Sequence, residues 1–448
     1  MIRHNLNLKE LKKACKNRQG FISTGHIESV KGPLIKATIP GAHVGQLVEI
    51  ENNNNLKAKV VGFEKHISIL CPLGSTEKII PGCKVKTIDN SEILWGSEEL
   101  LGAVLNSEGE IIDKVKTKKK RSSTRLKKSI LIPDNKAPCP LERMAINEVL
   151  ETKIKAIDGF NTIGFGQRMA IFAEPGVGKT TLLSNITKKN NADVNVIALI
   201  GERGREVQEF INQKLSAESR KKTVIIASTS NEPAISRIQA SLLATSIAEY
   251  FRDQKLNVVL MLDSLTRLFR AFREVGLAAG EIPVRRGYPP SAYENLPKLI
   301  ERAGKTKQGS ITAFYSVLLS GQLDEDPMVE EVKGLTDGHI ILRNKIAQSG
   351  RYPAISILES LSRLQNELIS DKMLAALNTI RKFKSEYDQD KDLMMLSNNN
   401  TEKLEKAIVL DSMLKEILKQ NGDFNSLEKE LVLLATAINE EYFQNSLA

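Results

Sequence analysis

The residues of this sequence with the clearest chemistry form the segment Ala173–Thr181, which reads AEPGVGKTT. Its two glycines allow the backbone to curl, so that successive N–H groups can point at one anion, and its lysine adds a positive charge. The spacing follows GxxxxGK[ST], which binds nucleotide phosphates, except that Ala173 stands at the first position. The residues expected to hold a nucleotide such as ATP are Gly176, Val177, Gly178, Lys179, Thr180 and Thr181.

Two acidic residues further along the chain could complete a phosphate-transfer site. Asp263 ends the apolar run VVLML and, with the Thr180 hydroxyl, could hold a Mg²⁺ ion. Glu202 follows VNVIALI and could orient and polarise a water molecule that attacks the γ-phosphate. The alternative for Glu202 is a surface ion pair with Arg203 or Arg205.

Strands and helices alternate from about residue 151, which predicts a parallel sheet covered by helices on both faces. This arrangement places the carboxyl ends of the strands, and so these acids, along one edge of the sheet. The predicted strands are 168–172, 194–200, 223–228, 258–262 and 310–318, and the predicted helices include 180–189, 205–216 and 233–254.

The two ends of the chain have different patterns. Short Val- and Ile-rich segments at 45–50, 57–63 and 66–73 predict a small β-barrel or sandwich. After about residue 365, apolar residues recur at spacings of three and four, which predicts amphipathic helices.

Composition excludes several classes of protein. The 448 residues are 41% hydrophobic and 26% charged, as in ordinary globular domains. No apolar run is long enough to cross a bilayer, and the first residues lack the apolar stretch of a signal peptide. The four cysteines have no paired spacing, so we expect free thiols and a cytosolic protein.

The net charge of +10 is concentrated in one segment. Residues 114–128, KVKTKKKRSSTRLKK, contain nine Lys and Arg residues and no acid, so the rest of the chain carries only +1. The segment is either an exposed loop or a contact for anionic lipid or nucleic acid. It contains no aromatic side chain to stack on a base, which disfavours nucleic acid.

Several long segments beyond the phosphate motif match one family in order. They include GERGREVQEF, DSLTRLFRAFREVGLAAGEIPVRRGYPPS, GSITAFYSVLLSGQLDEDP, LTDGHIIL and GRYPAISILESLSRL. Together they resemble the type III secretion ATPases, which energise flagellar export or the virulence injectisome and are related to the catalytic subunit of the rotary ATP synthase. The resemblance extends over residues 20–440.

This resemblance implies an α/β fold with a RecA-like P-loop ATPase core. It places an N-terminal tail at 1–18, a β-barrel at 19–90, the ATPase domain with the basic loop at 91–365 and a helical domain at 366–448. It also implies a cytoplasmic homohexamer at the inner face of the bacterial inner membrane, hydrolysing ATP with Mg²⁺. Stalk and stator proteins and chaperone–substrate complexes would be its partners, and no nucleic acid is expected.

The resemblance also implies a role for individual residues. Glu202 would be the catalytic base, and Arg203 would sense the γ-phosphate. Arg363 would be the arginine finger offered to the neighbouring subunit, and Tyr352 would stack on adenine. Lys179 and Thr180 would bind the nucleotide and Mg²⁺, with Asp263 supporting the metal.

The sequence departs from the family at a few positions. Glu174 and Pro175 replace the small, flexible residues common in the phosphate loop, and Ser356 stands where Asp or Asn is usual after PAI. The basic loop 114–128 is longer and more charged than the family's short connection. No catalytic group is lost.

The sequence disfavours three other functions. A rotary synthase catalytic subunit would have GERTREGND instead of GERGREV, and it would share the roles of Glu202 and Arg363 between two different chains. A Rho-like RNA translocase would need a basic, aromatic pattern that 19–90 lacks. A nucleotide-binding subunit without activity would have lost Glu202.

Overall fold

The computed structural model describes residues 23–32, 34–51, 55–88, 94–115, 128–131, 133–319, 327–396, 401–420, 424 and 426–443. These residues divide into two compact units. The first holds the described residues up to Leu94 with 232–236 and 271–290, and the second holds the other described residues. The predicted tail 1–18 and most of the basic loop, 116–127, lie outside the described residues.

The first unit contains a closed barrel with strand order β1-β2-β5-β4-β3-β6. Alternate side chains along strands such as β3 are buried, because successive residues of a strand point to opposite faces. Aliphatic residues including Ile35, Val48 and Val85 fill the interior. The strands are β1 (Thr24–Lys31), β2 (Leu34–Thr38), β3 (Leu47–Ile50), β4 (Leu56–Glu64), β5 (Ile67–Pro72) and β6 (Lys84–Thr87).

The second unit is built on a sheet with the order β20-β19-β13-β18-β16-β14-β15-β8-β9. Its strands are β8 (Ala103–Leu105), β9 (Ile111–Lys114), β13 (Arg168–Ala173), β14 (Val194–Glu202), β15 (Thr223–Thr229), β16 (Asn257–Asp263), β17 (Gly304–Lys305), β18 (Ser310–Leu318), β19 (Gly338–Leu342) and β20 (Leu361–Ser362). Two short pairs lie off this sheet: β7 (Trp95–Gly96) with β10 (Ser129–Ile130), and β11 (Val149–Leu150) with β12 (Ile163–Gly164).

The α-helices that accompany these strands follow in chain order. They are α1 (Lys155–Phe160), α2 (Lys179–Lys189), α3 (Gly204–Glu209), α4 (Ala217–Lys221), α5 (Ala234–Asp253), α6 (Leu265–Ala278), α7 (Pro290–Ile300), α8 (Pro327–Leu335), α9 (Asn344–Gln348), α10 (Gln365–Leu368), α11 (Asp371–Leu396), α12 (Thr401–Leu418) and α13 (Leu427–Ile438). Among the described helices, none has the length and apolar character required to cross a membrane.

The predicted α/β fold is confirmed, with a mixed rather than purely parallel sheet. The strands β19, β13, β18, β16, β14, β15 and β8 run parallel. By contrast, β9 and β20 pair antiparallel at the two margins of the sheet, and the short β17 pairs antiparallel with the central strand β18. The central strands are buried along nearly their whole length, which explains their continuous Val and Ile runs. Their carboxyl ends form one edge of the sheet.

The C-terminal region is helical, as its apolar spacing predicts. Helices α11, α12 and α13 pack their buried residues, such as Leu410, Leu414, Leu431 and Leu434, into the same core as α1 and β13. Because no sheet strand follows β20 in the described chain, the switch from strand to helix seen in the sequence is confirmed.

One predicted helix differs from the structure. The pattern at 205–216 predicts a continuous helix, but α3 ends at Glu209 and a π-helical turn occupies Phe210–Lys214. A π-turn adds only one residue to a single turn, so it leaves the apolar periodicity of a short segment almost unchanged. Periodicity alone therefore could not locate it.

Candidate nucleotide site

The phosphate motif forms the loop between β13 and α2. Ala173 is the last residue of the strand, and its φ is not positive, so an alanine is accommodated where the motif usually has glycine. Gly176 and Gly178 have φ of +80° and +89°, values that favour glycine, and Gly178 precedes the first residue of α2. The backbone N–H groups and the positive end of the helix therefore face the loop.

A cavity of about 330 Å³ lies against this loop. Its walls are formed by Glu174, Pro175, Gly176, Gly178, Lys179, Thr180, Thr181, Glu206, Glu209, Phe210, Lys214 and Leu318. Val177 is not among them, because its side chain is buried in the core and only its backbone can serve a ligand. The other five predicted nucleotide-binding residues of the motif do line the cavity.

Lys179 and Asp263 meet at the edge of the sheet. The Lys179 ammonium contacts Asp263 Oδ1, and the Ser316 hydroxyl donates a hydrogen bond of 2.6 Å to the same oxygen. Asp263 is only 1% exposed, so its charge depends on these partners. Asp263 thus holds the Lys179 ammonium in place. When a nucleotide binds, its phosphates would compete with Asp263 for this ammonium.

Glu202 joins the same group from the adjacent strand. The pairing between β14 and β15 slips by one residue between Ile200 and Glu202, at Gly201, whose φ is +67°. This irregularity turns the Glu202 carboxylate toward the site, where its Oε1 lies 3.8 Å from Lys179 Nζ. Glu202 is therefore not an exposed surface residue; its side chain is 11% exposed.

The surroundings of Glu202 make its carboxyl a weak acid. Burial and, next, the negative charge of Asp263 raise the pKa of Glu202 to about 7, while Lys179 and Arg267 act in the opposite direction. A carboxylate with a pKa near neutrality can accept a proton from water more readily than an ordinary surface glutamate. The geometry and the pKa together suit a general base.

Arg267 is a site residue that the sequence patterns did not reveal. It lies on α6 and donates hydrogen bonds to the Gly201 carbonyl at 2.5 Å and to Glu202 Oε2 at 3.2 Å. Its position four residues after Asp263, in the first turn of the next helix, is a signal that could have identified it. Ser316 was missed because only the order of β16 and β18 brings it to Asp263.

Tyr352 lies beside the phosphate loop. Its ring carbons are 4.0 Å from the position that a β-carbon would take at Gly178, and the residue is 54% exposed. A half-exposed aromatic ring beside a phosphate loop can stack on a nucleotide base. The structure thus brings together Lys179, Asp263 and Glu202 and places Tyr352 beside the same loop.

The structure does not bring Arg203 and Arg363 to this group. The Arg203 side chain is 78% exposed and pairs with Glu206 at 3.9 Å. Arg363 follows β20 and donates to the Lys333 carbonyl at 3.2 Å, beside Asp337 at the amino end of β13. Roughly 16 Å of strand separates that end from the phosphate loop, so Arg363 cannot serve the site of its own chain.

Two residues near Lys179 carry oxygen atoms of the kind that bind a magnesium ion. Thr180, at the start of α2, carries a hydroxyl, and Asp263 carries a carboxylate, and Mg²⁺ prefers oxygen ligands of these kinds. In many sites the ion is held by only one or two protein groups, with water and substrate phosphates completing the coordination.

Comparison with known proteins identifies two regions of the chain. Residues 153–362 match the nucleotide-binding domain of the ATP synthase alpha/beta family, and residues 27–88 match its beta-barrel domain. The chain is 38% identical over 426 residues to the flagellum-specific ATP synthase of Bacillus subtilis (strain 168). That match covers 93% of this chain and 96% of the relative.

Solved structures give the same result. The assembled ATPase EscN from the enteropathogenic E. coli type III secretion system superimposes with a TM-score of 0.82 and 35% identity, covering 92% of this chain and all of EscN. The assembled EscN in complex with its central stalk EscO matches with a TM-score of 0.80, at the same identity and coverage.

Proposed function

The chain belongs to the ATP synthase alpha/beta family, among its flagellar and type III secretion ATPases, and we propose that it hydrolyses ATP to energise protein export. The observation that carries the proposal is the convergence of Lys179, Asp263 and Glu202 at the carboxyl edge of the sheet. ATP hydrolysis requires three elements. Lys179 supplies a positive charge that binds phosphate, Asp263 a carboxylate that holds a metal ion, and Glu202 a base that acts on water.

Binding begins at the phosphate loop. The N–H groups around Gly176 and Gly178 and the ammonium of Lys179 hold the β- and γ-phosphates, and Thr181 lies on the cavity wall beside them. Tyr352 stacks on adenine. Because Lys179 contacts Asp263, a γ-phosphate that binds beside the lysine takes over part of that electrostatic interaction.

Glu202 then acts on the attacking water. It accepts a proton from the water as the water oxygen bonds to the γ-phosphorus and the bond from that phosphorus to the bridging oxygen of ADP breaks. Arg267 holds the Glu202 carboxylate in place through Oε2. Arg203, one residue further on, would have to turn away from its pair with Glu206 in order to sense the γ-phosphate. Thr180 and Asp263 hold Mg²⁺, which when bound neutralises charge on the phosphate oxygens.

The second part of the proposal is that copies of this chain assemble into a ring. Arg363 stabilises the transferring phosphoryl group of the neighbouring subunit, so a complete site needs two copies of the chain. EscN is an assembled ATPase that binds a central stalk, which supports a homohexamer that contacts a stalk protein. Its further partners are stator proteins and chaperone–substrate complexes. The ATPase releases export substrates from their chaperones and unfolds them.

Residues 114–128 support a position at the cytoplasmic face of the inner membrane. Nine positive charges can each contribute about 1 kcal/mol near an anionic lipid surface, and salt weakens the attraction. We expect the full chain, but not a variant lacking 116–127, to sediment with anionic liposomes at low salt. Equal sedimentation of the two would contradict this placement.

The proposal keeps the domain boundaries expected from the sequence. These are a tail at 1–18, a barrel domain at 19–90, the ATPase domain at 91–365 and a helical domain at 366–448. A rotary synthase subunit and an RNA translocase are the less favoured alternatives, since the relatives and solved structures are export ATPases.

A secretion assay tests the proposed function. In the source bacterium, deletion of this gene is expected to stop release of flagellar or injectisome proteins into the medium. Restoring the native gene restores secretion, whereas a Lys179→Ala copy made in equal amount does not. Full secretion with the Lys179→Ala copy would contradict the proposal that this ATPase energises export.

A further inference from the structure

Glu174, at the start of the phosphate loop, is held by two groups on a single other segment. Its Oε1 accepts a hydrogen bond of 3.1 Å from Arg343 Nη1, and its Oε2 accepts one of 2.7 Å from the backbone N–H of Asn344. The Glu174 and Arg343 side chains are 24% and 26% exposed, so water screens this pair only in part. The loop is therefore anchored to the start of α9.

Arg343 holds a second carboxylate in the same cluster. Its Nε lies 3.1 and 3.0 Å from the two oxygens of Glu359, and these hydrogen bonds lower the pKa of Glu359. The backbone N–H of Glu359 in turn donates to the Ser356 hydroxyl at 3.4 Å. An arginine shared by two carboxylates is fixed in orientation more firmly than one with a single partner.

The segment that begins at Arg343 also carries Tyr352. The Arg343 N–H donates to the Ala354 carbonyl at 3.0 Å, which closes the loop that contains this tyrosine. The ring of Tyr352 returns to the phosphate loop beside Gly178. One segment thus contacts the phosphate loop at its start, through Glu174, and places the Tyr352 ring beside its end.

Two departures from the family pattern meet in this cluster. Glu174 replaces a small residue in the phosphate loop, and Ser356 replaces the usual Asp or Asn after PAI. A carboxylate at 356 would stand next to Glu359 and repel it, whereas the serine hydroxyl accepts a hydrogen bond there. The two changes are compatible with each other and with the shared arginine.

We propose that Glu174 is a positioning residue which, through Arg343, fixes Tyr352 over the phosphate loop so that the base and the phosphates of ADP or ATP are held as one unit. The proposal rests on the proposed function, because it requires an adenine nucleotide in the site. Glu174 need not touch the nucleotide base itself. It acts through the segment that carries the stacking ring.

Calorimetric titration of the full chain with ADP and with pyrophosphate tests the proposal. Pyrophosphate has no base, so it measures the phosphate loop alone. In Glu174→Gln we expect the Kd for ADP to rise roughly threefold to tenfold and the Kd for pyrophosphate to change less than twofold. Glu294→Gln, which removes a charge from an exposed pair with Lys298, is the matched control and should change neither.

Two further variants identify the route of the effect. Arg343→Lys, which keeps the charge and loses the paired hydrogen bonds, should raise the Kd for ADP in the same way. In a Tyr352→Ala background, Glu174→Gln should no longer change the Kd for ADP.

An equal rise for both ligands, an unchanged Kd for ADP, or additive effects of Glu174→Gln and Tyr352→Ala would each overturn the proposal. Failure of the wild-type chain to bind ADP would count against the proposed function instead. The two failures are therefore distinguishable.

Discussion

At the scale of single residues, Glu202 has the chemistry that depends most on its neighbours. Burial and the Asp263 carboxylate favour its protonated form, while Lys179 and Arg267 favour the charged form. The balance raises its pKa to about 7. A general base must be deprotonated to act. The fraction of free enzyme with an ionised Glu202 therefore increases as the pH rises through this value.

We therefore expect the kcat/KM for ATP to increase with pH and to level off above about pH 7, since kcat/KM reports the ionisation of the free enzyme. Glu202→Gln should still bind ATP but hydrolyse it about 10² to 10⁴ times more slowly, because the amide cannot take the proton. Its residual rate should lose the inflection near pH 7. A steady-state pH profile of both proteins is the measurement.

A flat profile between pH 6 and 8 in the wild-type chain would contradict this role, as would normal turnover in Glu202→Gln. Binding of ATP by the variant, measured separately, distinguishes loss of the base from loss of the site. The amide has nearly the same size as the carboxylate, so packing around Arg267 should be preserved.

The sequence alone was sufficient to predict the positions of the site residues that lie in contiguous motifs. The phosphate loop is one short segment, and Asp263 and Glu202 end apolar strands, so their places follow from local pattern. Ser316 could not be predicted in the same way, and the only local signal for Arg267 is its position four residues after Asp263. Their roles arise from the order of neighbouring strands and from the direction of a helix, which are properties of the folded sheet.

At the scale of elements, the irregular end of β14 determines where Glu202 points. Gly201 has a left-handed backbone conformation, and a β-carbon there would lie 2.9 Å from Arg267 Cδ. Such a contact is shorter than side chains tolerate, so Arg267 or the strand end would have to move. The register slip at this position was not visible in the run of apolar residues.

Gly201→Ala is therefore expected to lower kcat by at least tenfold, because a shift of about 1 Å at a reacting group can cost roughly 10²-fold in rate. The left-handed conformation also costs alanine about 1–2 kcal/mol, so the melting temperature should fall by several degrees. Turnover and thermal unfolding measured on the same preparation check both effects.

Gly204→Ala is the matched control for this variant. Gly204 lies three residues further on, in the first turn of α3, and a β-carbon there has nothing within 4 Å. It should retain turnover and stability close to those of the wild-type chain. Wild-type turnover in Gly201→Ala would show that the conformation of this strand end does not orient the base.

At the scale of the whole molecule, the position of Arg363 has the largest consequence. It lies at the amino end of the sheet, whereas the phosphate loop lies at the carboxyl end. An arginine finger contributes roughly 10³ to 10⁵ in rate when it reaches the phosphoryl group. If Arg363 has this role, it must act on another copy of the chain.

Mixing two inactive variants tests this arrangement. Lys179→Ala lacks a working phosphate loop, and Arg363→Ala lacks the finger, so some interfaces in mixed rings pair an intact loop with an intact finger. We expect mixing to restore part of the activity, and specific activity to rise with protein concentration as rings assemble. Mixed rings without restored activity would mean that Arg363 does not act between subunits.

The layered architecture was predictable because each part has its own sequence period. Alternating strands and helices, short barrel strands and heptad-like spacing in α12 and α13 each indicate one kind of structure. The antiparallel strands β9 and β20 were not predicted. They are short and lie at the margins, where few residues carry the pattern.

The central claim is that this chain hydrolyses ATP at the site formed by Lys179, Asp263 and Glu202. The most direct test is phosphate release from ATP by the wild-type chain and by Lys179→Ala, each with and without Mg²⁺. Lys188→Ala, at the far end of the same helix, is the control for loss of a positive charge.

Removing Lys179 leaves the buried Asp263 carboxylate without its charged partner, so cooperative thermal unfolding of Lys179→Ala must be verified alongside. We predict Mg²⁺-dependent phosphate release by the wild-type chain and by Lys188→Ala, and almost none by a folded Lys179→Ala. Phosphate release by Lys179→Ala at the wild-type rate would contradict the account.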